Sequence, residues 1–134
     1  MQKKKKKETG GFETIAFQAA VFDSIPYESQ AKELLNTIDS IDLYKKYFDT
    51  MLNVYKTQQL LAIENMFNKT ELGMNENRDI LLDNRNKNWV DQLKKILPER
   101  NIFMAVGAGH LVGENGLIAL LKKAGYILRP LKNK

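Results

Sequence analysis

Apolar residues recur at helical spacing along most of the chain. In residues 12–22 and again in residues 27–40 they repeat every three or four positions, which is the period of an amphipathic helix. The first helix is expected to end near Ser24, because Pro26 disfavours helical backbone in the residue before it. The same period continues through residues 41–68 and is consistent with either one long helix or two.

Another helix is predicted for residues 77–97, after a loop at residues 69–77 and before Pro98. Its apolar stripe consists of Leu82, Trp89, Leu93 and Ile96. Helical steps along this stripe also pass through Arg85, so an arginine is expected on the buried face. A guanidinium stays charged at ordinary pH and needs a carboxylate, a phosphate or several carbonyls when it is desolvated. Arg85 is therefore either a structural tie or part of a functional site.

The last part of the chain has a different pattern. Residues 102–106 form a continuous apolar run, typical of a buried strand, and residues 126–128 form a second short run. Between them lie a glycine-rich loop that contains His110 and an amphipathic helix at residues 117–124, which Gly125 is placed to end. The glycines of the loop are Gly107, Gly109, Gly113 and Gly116.

This order predicts a β-loop-α-β unit with parallel strands, because a helix is the usual crossover between parallel neighbours. The expected fold class is α/β and predominantly helical, with about four or five helices packed with this unit. His110 would follow the carboxyl end of the first strand, where functional groups collect in open sheets of this type.

The length of the chain predicts a single domain, and the distribution of its charge predicts a basic amino-terminal tail. The chain has 134 residues, enough for a single domain with a modest core. Its formal net charge is +5, and the lysines at positions 3–7 carry five positive charges, so the remainder is close to neutral. We expect residues 1–10 to be a disordered basic tail and residues 11–134 to be the folded part. Contact of this tail with nucleic acid or anionic lipid is one hypothesis. The rest of the sequence has no pattern of basic and aromatic residues that predicts a nucleic-acid partner.

Several classes of protein are excluded by what the sequence lacks. It has no cysteine, so disulfides, zinc–thiolate sites and cysteine nucleophiles are excluded. No apolar run reaches the roughly 18 residues needed for a membrane span. The lysine run is followed by a polar, glycine-containing stretch, so no signal peptide is predicted.

Three separated segments resemble the carboxyl-terminal half of the TraB/PrgY/GumN family. They are GFETIAFQ at residues 11–18, RNKNW at residues 85–89 and MAVGAGHLVGENGLIALLKKAGY at residues 104–126. The resemblance covers about residues 11–131. That family is similar to the animal TIKI proteins and to erythromycin-esterase and ChaN-like proteins, so the resemblance implies a shared mixed α/β core.

The resemblance also implies a site. TIKI proteins are regarded as metal-dependent proteases that use two GxxH motifs, a glutamate and an arginine. The second GxxH matches residues 107–110 and ends in His110; the arginine matches Arg85, with Asn86 beside it; Glu13 is the best match for the acidic residue. The first GxxH has no counterpart, so we expect a truncated protein whose missing half would supply sheet strands and a second histidine. The resemblance to intact relatives also implies that the protein is located in the cell envelope or is secreted.

A divalent metal ion for hydrolysis needs about three histidine or carboxylate ligands and a free position for water. We expect manganese, cobalt or zinc bound by His110 and Glu13 in a site that this chain leaves incomplete. Glu13 is alternatively a general base, and Arg85 would stabilise an oxyanion or hold a substrate carboxylate, the substrate being a peptide or protein.

Other interpretations of the same residues remain open. His110 is alternatively a loop histidine bonded to backbone, and Glu13 is either favoured by a helix dipole or the partner of Arg85. Glu114 and Asn115 are expected to be loop or first-turn residues. As a whole, the chain is alternatively a non-enzymatic binding or regulatory module of the pheromone-shutdown type. Under either interpretation, a second copy of the chain or the missing amino-terminal half is an expected partner.

Overall fold

The computed structural model describes residues 7–68 and 77–131, which form six α-helices. The helices are α1 (Ile15–Asp23), α2 (Tyr27–Asp39), α3 (Ile41–Thr57), α4 (Leu60–Asn68), α5 (Asn84–Ile96) and α6 (Leu117–Lys123). A π-helical turn, Asp79–Asp83, leads directly into α5, and a 3-10 turn, Ala108–His110, precedes α6.

The helical part of the chain follows the predicted pattern closely. The run at 41–68 divides into two helices at Gln58, which adopts a left-handed conformation with φ of 58°. The helix predicted for 77–97 is formed by the π turn and α5 together. Residues 69–76 of the predicted loop and residues 1–6 of the basic tail lie outside the described residues.

Helix α1 has a well-defined start. The side-chain oxygen of Thr14 accepts a hydrogen bond from the backbone N–H of Phe17 at 3.1 Å and so satisfies one of the unpaired donors of the first turn. Glu13 therefore lies just outside the helix, and its side chain is free to reach another element. This local geometry is the first requirement of the site.

The predicted parallel strands, and with them the α/β fold class, are wrong: none of the residues in the described ranges is in a strand. The run at 102–106 is instead covered on one side only. Met104 and Val106 pack against the core, whereas Phe103 is 95% exposed. A strand needs the ladder hydrogen bonds of a neighbouring strand, and the described neighbours of this segment are helices. A continuous apolar run cannot by itself distinguish these two situations.

The core lies between α5 and α6. Its buried members are Trp89 and Val90 from α5 and Leu117 from α6. Around them pack six partly buried residues: Phe12, Met104, Val106, Leu111, Leu120 and Leu121. The segment before α1 and the segment after α5 therefore both converge on the same pair of helices.

The α2–α3 hairpin is organised differently. Neither helix has a buried residue, although both are amphipathic. Leu34, Leu35 and Ile38 on α2 are each exposed by about three-fifths, at 62%, 62% and 59%. Within the described part of the chain, no helix is both long enough and apolar enough to cross a membrane.

Leu117→Ala should lower the free energy of unfolding by about 2–5 kcal/mol, because Leu117 is only 3% exposed and its loss leaves a cavity between α5 and α6. Leu35→Ala is the matched control and should change stability by no more than about 0.5 kcal/mol. Urea denaturation followed by circular dichroism measures both. Equal costs for the two substitutions would contradict the placement of the core.

Candidate functional site

The site begins with an ion pair between Glu13, two residues before α1, and Arg85, the second residue of α5. Arg85 Nη2 donates to Glu13 Oε2 at 2.8 Å, and Arg85 Nε donates to Oε1 at 3.0 Å. The Glu13 side chain is only 3% exposed and that of Arg85 is 18% exposed. This is the paired, side-on geometry that a guanidinium and a carboxylate adopt when both are largely removed from water.

The third nitrogen of the Arg85 guanidinium is also hydrogen-bonded. Arg85 Nη1 donates to the backbone carbonyl of Leu81 at 2.9 Å, within the π turn. π turns often occur at functional sites, and here the turn places a carbonyl within reach of the guanidinium. Arg85 is therefore held on both sides before any ligand binds.

Trp89 connects the ion pair to the histidine. Its indole Nε1 donates to Glu13 Oε1 at 2.8 Å, and the Arg85 guanidinium lies 5.2 Å from the centre of its ring. The imidazole of His110 lies against the same indole, with ring centroids 4.4 Å apart. Phe12 borders it further out, at 6.2 Å. One side chain thus contacts all three residues that the sequence singled out.

His110 is buried, with 9% exposure, at the end of the 3-10 turn. The backbone N–H of His110 donates to the Gly107 carbonyl at 3.0 Å, which closes the turn. Its ring Nδ1 lies 2.7 Å from Oδ1 of Asn86, the residue after Arg85. The ring therefore contacts two side chains of α5, Asn86 by a hydrogen bond and Trp89 by a tilted ring–ring contact with an interplanar angle of 36°.

The loop after His110 needs its glycines. A Cβ on Gly116 would collide with the backbone carbonyl oxygens of Leu111 and Val112, and Gly113 has φ of +88°, a conformation that other residues rarely adopt. The loop is also tied by side chains. Asn115 Nδ2 donates to Asp83 Oδ2 at 2.9 Å.

The pKa values of Glu13 and His110 are both lowered, but by different interactions. Hydrogen bonding to Arg85 lowers the pKa of Glu13 below its ordinary value of 4.5, with the charge of Arg85 and the Trp89 hydrogen bond acting in the same direction and burial opposing them. Burial lowers the pKa of His110, the charge of Arg85 lowers it further, and the charge of Glu13 opposes both. The arrangement is an ionised carboxylate beside a neutral imidazole.

This combination supplies a base or ligand, the imidazole, next to a fixed cation, the guanidinium. It does not by itself supply a complete metal site: the described residues contain no group of three or more histidine, aspartate or glutamate side chains that could hold an ion. An imidazole fits a divalent metal, but both oxygens of Glu13 already accept hydrogen bonds from Arg85, and Oε1 accepts one from Trp89 as well. Glu13 would have to give up some of these bonds to bind a metal.

The three predicted site residues, Glu13, Arg85 and His110, are brought together by the fold. The expectation that Glu13 is the partner of Arg85 is confirmed, while the predicted catalytic and metal-binding roles stay predictions. Sequence reasoning assigned Trp89 only to an apolar stripe and gave Asn86 no role. The spacing held a signal for both, because Arg85 and Trp89 share a helix face at i and i+4, and Asn86 and Trp89 do so at i and i+3.

A family model for the TraB/PrgY/gumN family matches residues 1–130. The chain belongs to this family. The match begins at the first residue, so it does not support the narrower expectation that the chain corresponds only to a carboxyl-terminal half.

Two animal proteins of this kind are similar to part of the chain. The Metalloprotease TIKI homolog of Nematostella vectensis is 36% identical over 58 residues, which is 41% of this chain and 12% of that protein. Metalloprotease TIKI1 of Xenopus tropicalis is 40% identical over 52 residues, 37% of this chain and 10% of that protein. The matched segments thus span about a tenth of these relatives. No solved structure matches the chain.

The Glu13–Arg85 pair predicts a specific dependence of stability on pH. The pKa of Glu13 is lower in the folded than in the unfolded protein, so its contribution is complete above about pH 4.5 and is lost as the pH falls below that value through the folded pKa. Glu13→Gln should remove this component and, by leaving Arg85 unpaired, cost about 3 kcal/mol at neutral pH.

Urea denaturation at a series of pH values measures this difference. Glu99→Gln, at an exposed position after α5, is the control and should keep the wild-type pH profile. A Glu13→Gln variant whose stability falls with acidification as steeply as that of the wild type would contradict the assignment of the ion pair.

Proposed function

We propose that this protein is a metal-dependent hydrolase of the TIKI type that acts on peptide bonds, with His110, Arg85 and Glu13 as its site residues. One observation carries the proposal: three separate segments of the chain bring a buried imidazole and a desolvated ion pair onto the faces and edge of Trp89. Family membership and the similarity to two proteins named as metalloproteases support it.

Each residue has a chemical role that its environment favours. His110 is neutral because burial and the nearby guanidinium lower its pKa, so its imidazole has a lone pair that accepts a proton or binds a metal. Arg85 provides a fixed positive charge for an oxyanion or a substrate carboxylate. A cleft of about 390 Å³ between α1 and the start of α5 is lined in part by Arg85, but not by Glu13 or His110, and gives a substrate room to approach the guanidinium.

The proposed metal is a divalent ion, manganese, cobalt or zinc, with His110 as one ligand and Glu13 as a second. When bound, such an ion would polarise the scissile carbonyl and lower the pKa of a bound water. The sequence contains a single histidine, so the remaining ligands would be carboxylates or would come from another polypeptide segment. We propose that a second copy of the chain, or another segment of the protein, supplies these remaining ligands.

Equilibrium dialysis against manganese, cobalt and zinc tests this function. His110→Gln, which keeps a polar side chain of similar size, should weaken binding at least about tenfold, since even substitutions outside the first ligand shell can cost that much. Lys87→Gln, at an exposed position on the same helix as Arg85, is the control and should bind as the wild type does. Equal uptake by all three proteins would exclude His110 as a ligand.

A specific observation also favours a second candidate, a non-enzymatic binding or regulatory module. The carboxylate of Glu13 is engaged by Arg85 and Trp89 as it would be in a purely structural ion pair. In that case a partner recovered with tagged wild-type protein should bind His110→Ala with unchanged affinity, and peptide hydrolysis should not depend on added metal. Loss of both partner binding and metal-dependent hydrolysis in His110→Ala would exclude this candidate.

A further inference from the structure

Asn86 is the most deeply buried polar residue of the described chain, with 1% exposure, and both ends of its amide are used. Its Nδ2 donates to the backbone carbonyl of Asn115 at 2.8 Å, and its Oδ1 lies 2.7 Å from Nδ1 of His110. The reverse amide orientation would place Oδ1 against the Asn115 carbonyl, two acceptors at hydrogen-bond distance. The backbone of Asn115 therefore determines which end of the amide faces the imidazole.

The Asn115 carbonyl is itself held in place. The side chain of the same residue donates to Asp83 Oδ2 at 2.9 Å. Arg78 Nε lies 3.5 Å from the other oxygen of Asp83, and Arg78 Nη2 donates to the Val112 carbonyl at 3.3 Å. Asp83 at the end of the π turn and Arg78 just before the turn thus contact the loop that follows His110 at two points, so the acceptor that orients Asn86 has little freedom to move.

We propose that Asn86 is a positioning residue that holds His110 in the Nδ1–H tautomer, so that Nε2 is the unprotonated nitrogen that acts at the site. An amide oxygen only accepts hydrogen bonds, so the bond between Asn86 and His110 requires the proton on Nδ1. A 180° flip of the ring would place Cδ2 where Nδ1 now lies and would lose the hydrogen bond to Asn86, which opposes the flip. The role of Nε2 rests on the proposed function. The position of the proton on Nδ1 does not.

The fixed tautomer has a chemical consequence. A neutral imidazole has one lone pair in the plane of its ring, and only that nitrogen binds a metal or accepts a proton. If the proton could also occupy Nε2, a fraction of the molecules would have no lone pair on Nε2 and could neither bind a metal nor accept a proton there. Metal sites commonly contain a further residue that hydrogen-bonds to a histidine ligand and fixes its tautomer.

Long-range proton–nitrogen NMR correlation tests the proposal directly, because the sequence contains a single histidine and its ring signals need no further assignment. At alkaline pH, where the imidazole is neutral, the wild type should show a protonated Nδ1 and an unprotonated Nε2. Asn86→Leu should lose this pattern, with the proton moving at least in part to Nε2. Asn86→Asp keeps an acceptor oxygen and should restore the protonated Nδ1.

Asn84→Leu, two residues earlier and exposed, is the matched control and should leave the wild-type pattern unchanged. A wild-type ring protonated at Nε2, or an Asn86→Leu ring that keeps Nδ1 fully protonated, would overturn the proposal. Should Asn86→Leu fail to fold, the wild-type and Asn86→Asp spectra still decide it. Because no metal or substrate is added, a protonated Nδ1 together with equal metal uptake by the wild type and His110→Gln would refute the proposed function and leave this inference standing.

Discussion

The desolvated charge of Arg85 is the constraint on which the site depends. A guanidinium cannot lose its proton at ordinary pH, so its burial is tolerated only if its donors and its charge are satisfied. Glu13, separated from it by 72 positions in the chain, supplies the carboxylate, and Leu81 supplies a carbonyl. The segment before α1 is therefore attached to α5 by an ion pair as well as by apolar contact, and the attachment brings Glu13 to Trp89.

A second polar network also contacts Trp89, where the glycine-rich loop meets α5. Asn86 and His110 are buried and hydrogen-bonded to each other, and Asn86 is also bonded to the loop backbone. Buried amides and imidazoles are costly when they lack partners, so a network in which each member is bonded holds the loop in one conformation. The indole of Trp89 contacts both this neutral network and the charged one. An ionised carboxylate and a neutral imidazole can thus lie close together and titrate differently.

The structure is not uniformly packed. The pair α5–α6 buries the core and the site, whereas the α2–α3 hairpin leaves most of its apolar face exposed. Phe103 and Ile127, on the two segments predicted as strands, are likewise 95% and 85% exposed. The polar contacts of the site all lie within the well-packed part, which accounts for its geometry without any contribution from the hairpin.

The sequence by itself determined the helices, the need of Arg85 for a polar partner and the glycine-rich loop. Helical periodicity is local, and an arginine on an apolar stripe needs a partner whatever the fold, so both were predictable. Strands were not, because ladder hydrogen bonds depend on a neighbour that periodicity cannot identify, and the run at 102–106 lies against helices. Only the tertiary structure placed Trp89 between Glu13 and His110 and turned the amide of Asn86 towards the imidazole. Those contacts join positions far apart in the chain, and their geometry is decided by packing.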